Sequence, residues 1–300
     1  MAFPKDTILP QAVREDTTQG AGAEGFFLNK IFMWLSWQKV YFCGMTTKEQ
    51  IVKDWLPRYT GLPLEAFGEY ILLTNFHSYI QMFADKFGVP IHGEGKPMQT
   101  ATAENITIIN FGMGSAMAAT VMDLLGAIDP KAALFLGKCG GLKKTKLGDL
   151  VLPIAAIRGE GTGSDYMPPE IPALPSFRLQ RAVSSMIKKH EMDYWTGTVY
   201  TTNRRVWEHD EKFKEYLRQI RVMAIDMETA TIFIVGFANS IPHGALLLVS
   251  DNPMTPDGVK TSESDKKVTA NFALKHLQIG IDALLELANS GESVKHLKFE

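Results

Sequence analysis

Four short segments hold the residue types from which a group-transfer site is built. Ala224-Ile225-Asp226-Met227-Glu228-Thr229-Ala230 sets two carboxylates around a methionine, where an apolar run passes into a helical period. Burying acids there is costly unless hydrogen-bond donors surround them. A carboxylate that accepts two hydroxyls suits the cis-diol of a ribose, and acids drawn to a helix N-terminus by its dipole give the same pattern. Ser250-Asp251 follows the apolar run Ala245-Leu246-Leu247-Leu248-Val249. An aspartate at that point is placed to give a proton to a leaving group, or to close an Asx turn before Pro253. Gly112-Met113-Gly114-Ser115 opens a helix, where backbone N–H groups suit an anion; a plain tight turn accounts for it equally. It is not the dinucleotide fingerprint, because residue 117 is methionine and no acid stands at the ribose-binding offset. The fourth segment is Gly137-Lys138-Cys139-Gly140-Gly141, whose glycines let a ligand come close to the backbone. Lys138 is a candidate phosphate or hydroxyl contact, or one more solvated lysine beside Lys143, Lys144 and Lys146.

These segments need elements to hold them. Short apolar runs at 70–74, 106–111, 132–136, 150–157, 197–201 and 245–250 read as buried strands. Helical periods fall at 78–87, 115–125, 177–190, 211–219, 229–239 and 266–288. Strands that alternate with helices predict an α/β fold, a mixed or parallel sheet with helices on both faces. Ligands of such sheets bind at the carboxyl ends of strands. Nearly every predicted carboxyl end carries Gly or a small polar or charged residue, among them Asn75-Phe76-His77 and Arg158-Gly159-Glu160-Gly161-Thr162. Of the seven histidines, His190, His209 and His276 read as surface residues, and His77 alone stands at a strand end.

The composition bounds the partners. The chain has 300 residues, 45% hydrophobic and 21% charged, with a net charge of −2. That is globular composition, with no basic surface for nucleic acid. The two cysteines, Cys43 and Cys139, make no disulfide framework, which fits a reducing cytoplasm. Neither shows metal-ligand spacing, and no metal or organic cofactor is expected. Residues 1–44 read as an upstream extension, with Met45 as the natural start of a catalytic domain spanning 45–300; a short amphipathic packing segment is the other reading. The run 31–43 is too short and too polar to cross a bilayer.

Taken in order along the chain, the four motifs resemble the nucleoside phosphorylase superfamily. Gly137-Lys138-Cys139-Gly140 stands where that family has Gly-Ser-Cys-Gly, and Asp226-Met227-Glu228-Thr229-Ala230 where it has Glu-Met-Glu-Ala-Ala. Within the superfamily, residues 106–275 are most similar to the AMP nucleosidase family, through the segments 135–142, 157–162, 198–207 and 224–231. The resemblance implies a partly closed mixed sheet and a homo-oligomer, a hexamer in some relatives, with sites shared between subunits. It implies AMP as substrate, Met227 and Glu228 on the ribose with Asp226 and Asn75 nearby, and Asp251 as the acid that protonates the departing purine. The chain would correspond to the catalytic domain alone.

Departures from the family point to water as nucleophile. Where phosphorylases hold phosphate with two arginines, this chain has Tyr79 and Phe135, and Lys138 replaces the serine. A phosphate without paired arginines is poorly held. For the 5′-phosphate of a nucleotide the candidates are Arg58 from a partner subunit, Lys138, Arg204 and Arg205. Gly114 and Thr162 complete the expected substrate contacts. Trp207 and Tyr166 are candidate base-stacking residues, with core packing the alternative for each. His77 and Glu160 are both open as the group that activates water.

Overall fold

Eight strands and seven helices follow from these patterns in a computed structural model that describes residues 46–290. The strands are β1 (Tyr70–Thr74), β2 (Gln99–Ala103), β3 (Ile106–Asn110), β4 (Ala132–Gly141), β5 (Leu150–Gly159), β6 (Tyr194–Thr202), β7 (Ala224–Asp226) and β8 (His243–Asp251). The helices are α1 (Lys48–Thr60), α2 (His77–Phe87), α3 (Ser115–Leu124), α4 (Phe177–Lys189), α5 (Glu211–Gln219), α6 (Thr229–Ala238) and α7 (Ser262–Ser290). The extension expected over residues 1–44 lies outside the described residues.

The sheet order is β2-β3-β1-β4-β7-β6-β5-β8, and β4 also pairs with β8. Strands β4, β7, β6, β5 and β8 therefore close into a ring, and β1, β3 and β2 extend it as an open sheet. β4 is the junction, parallel to β1 and β8 and antiparallel to β7. The expected mixed, partly closed sheet with helices on both faces is what forms.

Burial on both faces explains why the strands read as unbroken apolar runs. Alternate residues of β4 divide between two cores. Ala133 and Phe135 join Val121 of α3 and Phe233 of α6, while Leu134 and Leu136 join Phe83 of α2, Leu179 of α4 and Leu277 of α7. Helix α6 is buried almost all round, from Thr229 to Gly236. This packing fixes its N-terminus, and with it the 226–228 segment.

Several boundaries differ from the sequence reading. β4 continues through the glycine-rich 137–141 stretch, because Gly140 and Gly141 pair with Ile225 and Ala224 of β7. β7 is three residues long, too short to show a period. β2, with sequence QTATA, is an antiparallel strand with little apolar signal. His276 is not a surface residue: it is buried in α7, where its Nδ1 meets the Tyr79 hydroxyl at 2.8 Å and its Nε2 lies 3.0 Å from the Leu246 carbonyl. Burial lowers its pKa to about 4, so the ring is neutral.

Candidate active site

The carboxyl ends of β1, β4, β6, β7 and β8 surround one cleft of about 300 Å³. Asn75 and Phe76 come from the end of β1, Lys138 to Gly140 from β4, Thr202 and the following loop from β6, Asp226 to Glu228 from β7, and Ser250 with Asp251 from β8. Met113, Lys260 and Asp265 complete the lining used below.

The 226–228 segment is held by saturating its first acid. Asp226 accepts the Thr201 hydroxyl at 2.7 Å, the Thr229 N–H at 2.8 Å and the Glu228 N–H at 3.3 Å, and it also takes the Thr229 hydroxyl. Burial still pushes its pKa up against those donors. Asp226 thus caps α6 and anchors the segment, its oxygens already engaged. Glu228, only 2% exposed, turns toward the cleft. It accepts the Gly114 N–H at 2.7 Å and its neighbour Met227's N–H at 3.2 Å, and the nearby Asn75 side chain favours its charged form. Burial, then the adjacent Asp226 charge, holds the Glu228 pKa above the usual carboxylate range. The glycine turn at 112–115, read as a possible anion cradle, therefore serves the protein's own carboxylate. Ser115 supports the same segment, its hydroxyl donating to the Met227 carbonyl at 2.7 Å.

Asp251 sits beyond a bulge. Cys139 pairs with Val249 and Gly140 with Asp251, so Ser250 is the extra residue on β8. A bulge bends the strand and re-aims the side chains beyond it. The Ser250 hydroxyl lies 2.7 Å from Asp251 Oδ1 and 3.3 Å from the Cys139 carbonyl. Burial raises the Asp251 pKa against that hydrogen bond and the nearby Lys260 charge. An aspartic acid whose pKa is raised, lining the same cleft as Glu228, is suited to protonating a leaving group.

The cations fall into two groups. Arg204 and Arg205 line the cleft from the loop after β6. Arg204 bonds Asp210 at 3.0 Å, and Arg205 reaches Glu208 at 3.5 Å. Lys138 belongs to the other group. Its side chain is 2% exposed, its ammonium donates to Asp265 at 2.8 Å and Thr269 at 2.7 Å, and it stands 4.3 Å from the Phe76 ring centroid. It is thus not a solvated lysine.

Other expected residues lie elsewhere. Arg58 is exposed on α1 and pairs with Asp54 at 3.1 Å. Thr162 begins a 3-10 turn, Thr162–Asp165, outside the cleft lining. Trp207 does line the cleft, with its ring edge-on to Phe213 at 5.5 Å. Tyr166 donates its hydroxyl to Asp123 at 2.6 Å, outside the cleft lining. Glu160 accepts the Gly161 and Gly163 N–H groups and the Thr231 hydroxyl, and His77 meets Gln99 at 2.8 Å; neither lines the cleft. Tyr79 and Phe135 are wholly buried in the two cores. Sequence reasoning missed Phe76, Lys260 and Asp265. The pairing of Lys138 with a residue 127 positions away carries no local signal.

The phosphorylase superfamily profile matches residues 70–286. The AMP nucleosidase of Escherichia coli K12 is 29% identical over 290 residues, covering 81% of this chain and 60% of that protein. The chain thus spans less than two thirds of that relative. A crystal structure described as AMP nucleosidase from Bacteroides thetaiotaomicron is 60% identical with a TM-score of 0.74, and covers 82% of this chain and 100% of its own. Uridine phosphorylase from Vibrio fischeri shares the fold at 18% identity, with a TM-score of 0.66 over 74% of this chain and 94% of its own. Strand order, the cleft at the strand ends and the profile match agree: this chain belongs to the phosphorylase superfamily.

Proposed function

We propose that the chain hydrolyses the N-glycosidic bond of AMP, giving adenine and ribose 5-phosphate. The carrying observation is the cleft that brings together Asp251, its pKa raised by burial, and the buried carboxyl group of Glu228. The likeness to proteins named AMP nucleosidase selects the substrate. Glu228 accepts the ribose hydroxyls, with Met227 against the sugar and Asn75 orienting the carboxylate. Asp251 gives its proton to the purine. The C1′–N9 bond then breaks with its electron pair on adenine, leaving a ribosyl cation. Water bonds C1′, and the proton it loses replaces the one Asp251 gave up. Arg204 and Arg205 take the 5′-phosphate, joined by Arg58 of a second subunit in a homo-oligomer working in the cytoplasm. Trp207 bounds the base end.

A phosphate-dependent purine nucleoside phosphorylase is the second reading, favoured by the superfamily's phosphorylase members. Against it stands a cleft whose β1 end contributes Asn75 and Phe76, and no arginine. Purified protein with AMP or adenosine, with and without inorganic phosphate, separates the two. Phosphate-independent release of adenine from AMP is expected; release only with phosphate makes it a phosphorylase, and tight binding without release makes it a nucleotide-binding protein. In the same assay Arg204→Ala and Arg205→Ala should raise KM for AMP about tenfold or more, with little change for adenosine. Equal effects on both substrates would remove these arginines from the phosphate.

A further inference from the structure

Lys138 lies at the sugar end of the cleft. Asn75 and Glu228 line the same cleft, Phe76 follows Asn75, and the Phe76 ring covers the Lys138 ammonium. An anion seated on Lys138 would therefore lie beside the ribose, where a nucleophile reaches C1′. A buried ammonium next to that position is an obvious phosphate site, yet its charge is already spent. Asp265 takes Lys138 at 2.8 Å and Lys260 at 3.0 Å on the same oxygen, Oδ1. Lys260 also lies 5.8 Å from the Phe76 ring centroid. Both lysines thus converge on one carboxylate from α7, and Thr269, one turn further along α7, fixes Lys138 from the side.

We infer that Asp265, through its pairing with Lys138 and Lys260, is the specificity residue that refuses phosphate as nucleophile and leaves the C1′ face to water. This rests on the hydrolytic reading above. A phosphate dianion entering here must displace a carboxylate from two ammonium groups and then sit against it. Like charges held a few ångströms apart repel. A water molecule meets no such barrier. Asp265 acts through the two lysines it pairs with.

The test compares wild type, Asp265→Asn, Asp265→Glu and Thr269→Val, each with AMP across a range of inorganic phosphate. Wild type, Asp265→Glu and Thr269→Val should release adenine at rates indifferent to phosphate. Asp265→Asn frees the two ammonium groups, so phosphate should become an inhibitor competitive with AMP or a co-substrate. In the latter case a phosphate oxygen bonds C1′ as C1′–N9 breaks, the phosphate's proton balances the one adenine takes up, and ribose 1,5-bisphosphate appears. Phosphate binding by calorimetry should strengthen about tenfold or more in Asp265→Asn. A folded Asp265→Asn protein as indifferent to phosphate as wild type overturns the inference. So does a Thr269→Val protein that gains phosphate sensitivity, since it keeps the carboxylate; this arm holds even where Asp265→Asn does not fold. Failure of wild type to release adenine from AMP without phosphate would instead strike the hydrolytic reading. The calorimetric comparison would still judge Asp265.

Discussion

Acids in one cleft are given different tasks by their surroundings. Asp226 is met by four donors and spent on structure, whereas Glu228 and Asp251 keep oxygens toward the cleft. As the proposed acid, Asp251 must be protonated, and burial raises its pKa, so activity should fall as pH rises through that raised value. Asp251→Asn should lower kcat by about 10²–10⁴-fold and flatten that alkaline limb, while the circular dichroism spectrum stays native. A variant that keeps wild-type kcat would dismiss Asp251 as the acid. Glu228 leads to a stability prediction. Its folded pKa lies above the unfolded value, so the unliganded protein loses stability as pH rises from the ordinary carboxylate range through the raised pKa. Glu228→Gln cannot ionise. Its melting temperature relative to wild type should climb between pH 5 and pH 8.5, because each tenfold gain in proton affinity on folding is worth about 1.4 kcal/mol. A difference independent of pH would mean that the Glu228 pKa is not raised on folding.

At the scale of elements, the site depends on how strands end. Gly114 sits before α3 with φ 92° and ψ 163°, and open space surrounds the position of a Cβ. The cost of Gly114→Ala is therefore conformational, about 1–3 kcal/mol. It should also raise KM for AMP, because the Gly114 N–H that orients Glu228 moves with the backbone. Thermal melts and initial rates on the one variant check both; an unchanged KM would detach this turn from the sugar site. Most of these elements were legible in advance. Strands buried on both faces announce themselves as apolar runs, and Asp226, Met227, Glu228, Ser250 and Asp251 stand beside such runs. What stayed hidden was non-local. Gly137 and Gly141 looked like ligand contacts, but a Cβ there would strike the Phe135 ring and Thr145 respectively, so they serve packing. The short β7 takes its identity from pairing with β4 and β6. Lys138 read either as a phosphate contact or as a solvated lysine, because its partners arrive from α7.

At the scale of the whole molecule, one strand joins two cores. Phe135 and Leu134 are neighbours on β4 and point into opposite clusters. Phe135→Ala should cost about 3–5 kcal/mol and Leu134→Ala about 2–5 kcal/mol. Because the sheet is shared, each should shift a single urea transition; two separate transitions in either variant would mean that the layers unfold independently. Closing five strands into a ring has a consequence for solubility too. Unpaired strand edges are templates on which other chains stack and aggregate. Ring closure through β4 and β8 gives each of those five strands a partner on both sides, and among the described residues the sheet ends at β2. There the His92 and Thr100 backbones already exchange N–H···O bonds, at 2.8 and 3.0 Å. A neighbouring chain seeking to lengthen this sheet thus finds a short strand already occupied at Thr100.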